Sequence, residues 1–259
     1  MSRLSALLFT QSNVLHALML RDIRTRMFGS AFGFIFVIAW PLSHILLLVV
    51  FLSFMNRLAP FGTSVPLWVA TGAVPFMVFS YMSRFMMLSV VLNKPLLYFP
   101  VISVTDILFA RAIVEILSAS IVIISILSIF LADGVDIVPA HLTTAVSAIL
   151  ASVILGLGAG VLNGVIAAFA PAWITGYALV IVALWITSGI MFVPSAMPEE
   201  LQKFLFFHPV VHTIEWLRSG YFESYNSTIL AKWYPLAVGA GTLFIGLAAE
   251  RIFRGRILT

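Results

Sequence analysis

His208 and His212 are four residues apart, a spacing that puts two imidazoles on one face of a helix, where they could share a metal ion. No HExxH carboxylate sits between them and no third ligand is in evidence. Pro209 fits the first position of a helix, which leaves His208 at its cap, so no metal site is expected. Asp133, Asp136 and His141 in one connecting segment, and Glu199 and Glu200 in another, are the acid–base groups a membrane-embedded lipid-modifying enzyme would need. None has a nucleophile beside it. Gly156, Gly158 and Gly160 form a GxGxG run, yet the chain has no GxxxxGK[ST] phosphate loop and these glycines lie in an apolar stretch. Gly156, Gly160 and Gly164 instead clear one helix face for close backbone approach. No enzyme activity, bound cofactor or metal is expected of this chain, and if it takes part in active transport the energy must come from another polypeptide. Arg111 and Glu115 have i,i+4 spacing and are expected to form a structural ion pair near a helix end. His44, inside an apolar run, is expected to be a hydrogen-bonded core histidine.

The elements that must carry these residues are apolar. The chain is 62% hydrophobic and 9% charged, against about 25% charged in soluble domains, so lipid rather than water must solvate most of its surface. Cysteine is absent, which excludes a disulfide framework and thiolate chemistry. The length suits one membrane domain over residues 1–259. The net charge of +4 is a topology signal rather than a nucleic-acid footprint, because the cations flank apolar runs. Leu4 to Phe9 is too short for a signal-peptide core, so the N-terminus is expected to be retained.

Apolar runs near 33–55, 64–83, 108–131, 143–169, 176–193 and 233–249 suit six membrane-spanning helices. Pro41, Gly72 and Pro75 are expected to kink the first two. With six spans the termini share a side. That side carries Arg3, Arg21, Arg24, Arg26, Arg84, Lys94, Arg111, Arg251, Arg254 and Arg256, and the other carries Arg57, Lys203, Arg218 and Lys232. The bias places both termini in the cytoplasm. Residues 10–32, with Leu15, Leu18, Met19 and Ile23 at helical spacing, suggest an amphipathic helix in the membrane interface, with a plain basic flank as the alternative. Residues 84–107 form a cytoplasmic connection. Residues 194–232 form a half-apolar external segment, expected as short re-entrant helices bounded by Pro198, Pro209 and Gly220. Trp68, Trp216, Trp233 and Tyr234 near span ends fit an interfacial aromatic belt. Because aromatic faces also stack on sugar rings, Trp40, Trp185 and Trp216 are candidates for lining a saccharide path, with packing as the alternative.

Three stretches carry a resemblance. Leu20 to Arg26, LRDIRTR, resembles the LREIRTR-type element of ABC-2 permeases that export capsular polysaccharide. Asp106 to Glu115, DILFARAIVE, is similar to the DTIIARALLE-type entry to their third span. His208 to Gly220, HPVVHTIEWLRSG, resembles their NPLVHVVELSRE-type external segment. The resemblance implies an all-α integral membrane fold with six spans per protomer in the bacterial inner membrane. It implies a homodimer working with two ATP-binding cassette subunits, with export of a lipid-linked acidic polysaccharide. A periplasmic adaptor and an outer-membrane polysaccharide export protein are the further implied partners. O-antigen, teichoic-acid and small-molecule exporters of the same architecture are the neighbouring alternatives. Asn93, Lys94, Tyr98, Phe99 and Asp106 would then fall in the segment that docks on the ATPase. There the family's NYRPVKPID-like stretch is matched by Leu97 to Asp106, with Phe99 and Ser103 replacing cations, which implies a more apolar contact. Arg21, Arg24 and Arg26 are candidates for attracting anionic headgroups or the acidic glycolipid.

Overall fold

The computed structural model describes residues 3–26, 31–54 and 58–257, and among them every regular element is helical. In chain order these are α1 (Arg3–Arg26), α2 (Ala31–Phe54), α3 (Val65–Leu92), α4 (Val104–Ala132), α5 (Leu142–Phe169), α6 (Trp173–Thr187), α7 (Glu199–Phe206), α8 (Pro209–Tyr221) and α9 (Trp233–Ile257). Short 3-10 turns occupy Lys94–Tyr98 and Pro194–Ala196. Within the described residues, α3, α4, α5 and α9 are long and apolar enough to cross a membrane, and Ile38–Phe54 and α6 are shorter apolar helices. Pro41 and Pro75 both lie inside continuous helices.

Helix ends depart from the apolar runs because caps, not hydropathy, set them. Ser103 accepts the Asp106 N–H at 3.2 Å while Asp106 accepts the Ser103 N–H at 2.8 Å. This capping box starts α4 ahead of its first continuous apolar stretch. At the other end of the connection α3 runs through Arg84 to its C-cap at Asn93, so the expected connection of 84–107 contracts to 93–103. α6 stops at Thr187 rather than at 193, because Gly189 adopts φ +84°, a conformation that favours glycine. α1 starts at Arg3 rather than at residue 10; of the expected 10–32 helix, residues 27–30 lie outside the described set.

The core is a stack of α3, α5 and α9, with α5 packed most extensively against the other two. The glycine stripe behaves as its spacing predicts. A Cβ on Gly156 would stand 3.1 Å from the Met82 Cβ, one on Gly160 2.8 Å from that of Met86, and one on Gly164 3.1 Å from Leu108 and Val90. The absent side chains are what let α5 approach α3. Gly158 faces the opposite way, onto α9. A Cβ there would lie 2.1 Å from the Gly239 carbonyl oxygen.

The two segments read as interfacial are held by protein. Leu18 is buried, and Leu15 and Met19 pack with it against a cluster that includes Val104, Ile107 and Leu108 of α4. The apolar face of α1 is therefore spent largely on the bundle, and Arg21 and Arg24 are exposed. α8 is packed against α3 and α5, with Val210 to Leu217 buried throughout. Within the 194–232 segment, α7 presents an exposed apolar face through Leu201 and Phe204, and Phe207 extends it.

Candidate functional site

An aromatic groove lies between α2, α3 and α6. Trp40, Pro41, His44 and Ile45 form one wall, Phe76 to Arg84 of α3 the floor, and Ile181, Val182 and Trp185 the other wall, around a cavity of about 360 Å³. Trp40 is 70% exposed. His44 meets Trp185 edge to face at 6.2 Å. Two of the three tryptophans picked as saccharide-path candidates, Trp40 and Trp185, thus share one groove, with Arg84 at its rim. His44 is exposed and lines this groove, which corrects its expected place in the core: the helix turns it away from the bundle. Trp216 is elsewhere, buried against Ala145, Ala148 and Ala151 with the Lys232 ammonium 5.7 Å from its ring. Trp68 is also buried rather than part of a belt, whereas Trp233 is exposed at the start of α9.

Few contacts join α6 to α3 and α5, and polar bonds fix its ends. At the start, the Trp173 indole N–H donates to Asn163 at 2.7 Å and the Tyr177 hydroxyl donates to Ser83 at 2.7 Å. Near the other end the His208 Nε2–H donates to the Leu184 carbonyl at 3.0 Å. Just beyond it the Arg218 guanidinium donates to the carbonyls of Ile190 at 3.1 Å and Phe192 at 3.3 Å. Arg218 is fully buried and pairs with Glu215 at 3.3 Å. Its guanidinium carbon stands 3.6 Å from the Trp68 ring centroid. The Tyr225 hydroxyl donates to the Glu215 carboxylate, 2.8 and 2.9 Å from its two oxygens. Burial, then the Glu215 charge, raises the Tyr225 phenol well above its ordinary value and keeps it a donor. Gly72 makes room for this assembly, since a Cβ there would stand 3.1 Å from both the guanidinium and the Ile190 backbone. Sequence reasoning assigned Gly72 to a kink and placed Arg218 among the short helices of the 194–232 segment, without pairing it with Glu215. The available signal was Glu215 three residues before Arg218 on one helix.

His208 and His212 spend both ring nitrogens on backbone. His208 Nδ1 accepts the Val211 N–H at 3.3 Å. His212 donates from Nε2 to the Phe206 carbonyl at 2.8 Å and accepts the Ala231 N–H on Nδ1 at 3.1 Å. No metal-holding group of three or more His, Asp or Glu residues occurs among the described residues. Burial lowers both pKa values below 6.5, opposed at His208 by the Leu184 bond and at His212 by the Phe206 bond and then the Glu215 charge. The folded state therefore favours neutral rings. The unfolded chain binds more protons once pH drops below about 6.5. Stability is full above that pH and falls as pH drops toward the folded-state values. Thermal unfolding in detergent between pH 7.5 and 5 is expected to show a falling midpoint, and His212→Gln should flatten the curve. A wild-type midpoint independent of pH over that range would contradict this.

At the α1 end, the coupling candidates divide into two groups. Asn93 and Asp106 are buried and used internally. Asn93 donates to the Ser89 carbonyl at 2.8 Å and accepts from Arg21, and Asp106, besides its cap role, accepts from Gln11. Lys94 is exposed, as are Tyr98 at 76% and Phe99 at 59%. Arg111 pairs with Glu115 at 2.9 Å, as its spacing implied, and also with Asp22 at 3.5 Å. The third member ties α1 to α4 across a sequence separation that no local pattern reveals. Arg24 is exposed on α1, and the Arg26 side chain lies outside the described residues. Of the acid–base candidates, Asp133 ends α4, Asp136 accepts the Val138 N–H at 3.0 Å, and Glu199 and Glu200 pair with Lys203 at 3.0 and 3.4 Å on the surface.

No protein-family model matches the chain. Individual relatives do. It is 28% identical over 250 residues to the polysialic acid transport protein KpsM of Escherichia coli, covering 96% of each chain. It is 29% identical over 250 residues to the capsule polysaccharide export inner-membrane protein CtrC of Neisseria meningitidis, covering 95% of this chain and 93% of that one. To the capsule polysaccharide export inner-membrane protein BexB of Haemophilus influenzae it is 27% identical over 249 residues, covering 94% and 92%. These relatives are transport proteins, and their names agree with a multi-pass inner-membrane protein built on the apolar helices above. Over almost its whole length, this chain is a homologue of the inner-membrane proteins of capsule polysaccharide export.

Proposed function

We propose that the chain is the permease subunit of an ATP-driven exporter that carries lipid-linked capsular polysaccharide across the bacterial inner membrane. The observation that carries this reading is similarity over more than nine-tenths of the chain to a polysialic acid transport protein and two capsule polysaccharide export inner-membrane proteins. An aromatic groove suited to sugar rings supports it. In this reading α2, α3, α4, α5, α6 and α9 supply six spans, α6 completing its passage through the bend that follows it. α7 and α8 form the external re-entrant segment, and both termini are cytoplasmic, in keeping with the basic bias. Two copies assemble with two ATP-binding subunits that hold ATP and Mg, and a periplasmic adaptor and outer-membrane export protein continue the route. O-antigen or teichoic-acid cargo is the neighbouring reading within the same machinery.

Lys94, Tyr98 and Phe99 are the proposed ATPase contact. Co-expression with the genetically linked ATPase is expected to yield a complex whose hydrolysis rises with polysaccharide. Tyr98→Ala with Phe99→Ala should cut co-purification at least several-fold while leaving the permease folded, because both rings are exposed and carry no core packing. A stable wild-type chain that recruits no ATPase would remove the energy source from this reading. Arg21→Gln, Arg24→Gln and Arg26→Gln together should lower capsule export with insertion intact. Each cation near an anionic surface contributes about 1 kcal/mol, and normal export by the triple variant would discard the cargo-attracting role.

A further inference from the structure

A second crevice lies on the face of the bundle formed by α4 and α5. Both helices pack on α3 but barely touch each other, and the gap encloses about 330 Å³. Its lining comes from one end of the bundle: the first turns of α3, Ile123 to Leu127 of α4, Leu142 to Leu150 of α5, and Leu217 and Tyr221 of α8. Apart from the Thr71 and Tyr221 hydroxyls the walls are hydrocarbon. The Thr71 hydroxyl donates its proton to the Trp68 carbonyl at 2.8 Å. A cavity with such walls does not hold water, which needs several polar partners. The mouth is continuous with the apolar outer surface of two helices long enough to span a membrane, where Ile124 and Leu131 of α4 and Val146 and Leu150 of α5 are exposed. In a bilayer that surface meets acyl chains, so the gap opens directly onto hydrocarbon. Filling it restores the dispersion contacts that an empty gap would forgo.

We propose that this crevice seats one acyl chain of a bilayer phospholipid, in the leaflet at the α8 end, as a fixed part of the α3–α4–α5 packing. The proposal rests on a bilayer surrounding these helices and not on the identity of the cargo.

The test uses the full chain reconstituted in phosphatidylethanolamine–phosphatidylglycerol vesicles containing a trace of phosphatidylglycerol with a diazirine on its acyl chain. After irradiation, labelled peptides are mapped. Ile126, Leu127 and Ile149 should be labelled several-fold more than Leu179 and Phe244, which are more exposed but do not line this crevice. Val146→Trp sits at the half-exposed mouth and should lower crevice labelling at least five-fold while leaving Leu179 and Phe244 unchanged. Leu150→Trp repeats the block from a neighbouring position if the first variant is poorly folded. Labelling that merely follows exposure would overturn the proposal as ordinary annular contact, and so would cross-links from the crevice to a second copy of the chain. ATPase recruitment plays no part in this readout, so the functional reading and this one fail separately.

Discussion

Arg218→Ala is expected to destabilise the protein by about 3–5 kcal/mol, the usual cost of removing one partner of a buried ion pair. Three losses act together. Glu215 loses the guanidinium that faces it in a site with no exposed surface. The Ile190 and Phe192 carbonyls lose their donors. The Trp68 face loses the cation stacked on it. Against these stands the desolvation cost of burying the guanidinium in the first place, which predicts that removing both charges is milder than removing one. Glu215→Leu with Arg218→Met should therefore recover much of the single-variant loss, in thermal unfolding measured in detergent. A single variant within about 0.5 kcal/mol of wild type, the range of ordinary surface changes, would show that the pair contributes nothing. The damage should also reach the groove. Arg218 holds the bend that follows α6, and α6 carries Trp185 and otherwise packs loosely. Freed of that hold, the groove wall should move, and export should fall further than residual stability alone accounts for.

Gly158→Ala is expected to be the second most damaging substitution. In a helix interior, alanine normally gains about 0.5–1 kcal/mol over glycine. At Gly158 the new methyl would lie 2.1 Å from the Gly239 carbonyl oxygen and 2.4 Å from the Thr242 hydroxyl. Neither distance is tolerable, and the first neighbour is backbone, so α5 and α9 must separate. Overpacking of this kind costs about 1–3 kcal/mol and occasionally more, which outweighs the propensity gain. Gly241→Ala on α9 is the control, because a Cβ there meets nothing within 4 Å and the propensity gain should stand alone. The two variants should shift the thermal midpoint in opposite directions. Equal shifts would mean that the α5–α9 contact is not set by Gly158.

Much of the molecule follows from local spacing. The apolar runs mark α3, α4, α5 and α9. The i,i+4 rule marks Arg111 and Glu115, and the fourfold glycine spacing marks the α3–α5 contact. In each case the interacting residues lie on one helix or one face, so the pattern is written along the chain. Helix ends were less legible, because the Ser103–Asp106 box and the φ of Gly189 are not hydropathy features.

What composition and spacing determined by themselves is a helical chain solvated by lipid and lacking a GxxxxGK[ST] phosphate loop, because those properties need only residue types and short separations. Tertiary structure decided the rest. It joined Asp22 to Arg111, stacked Arg218 on Trp68, buried α8 in the bundle and brought Trp40, His44 and Trp185 to one groove. The reason is physical: a charge or an aromatic ring on an apolar helix can be a surface group or a buried one. Only the neighbours supplied by distant segments decide whether its desolvation is compensated.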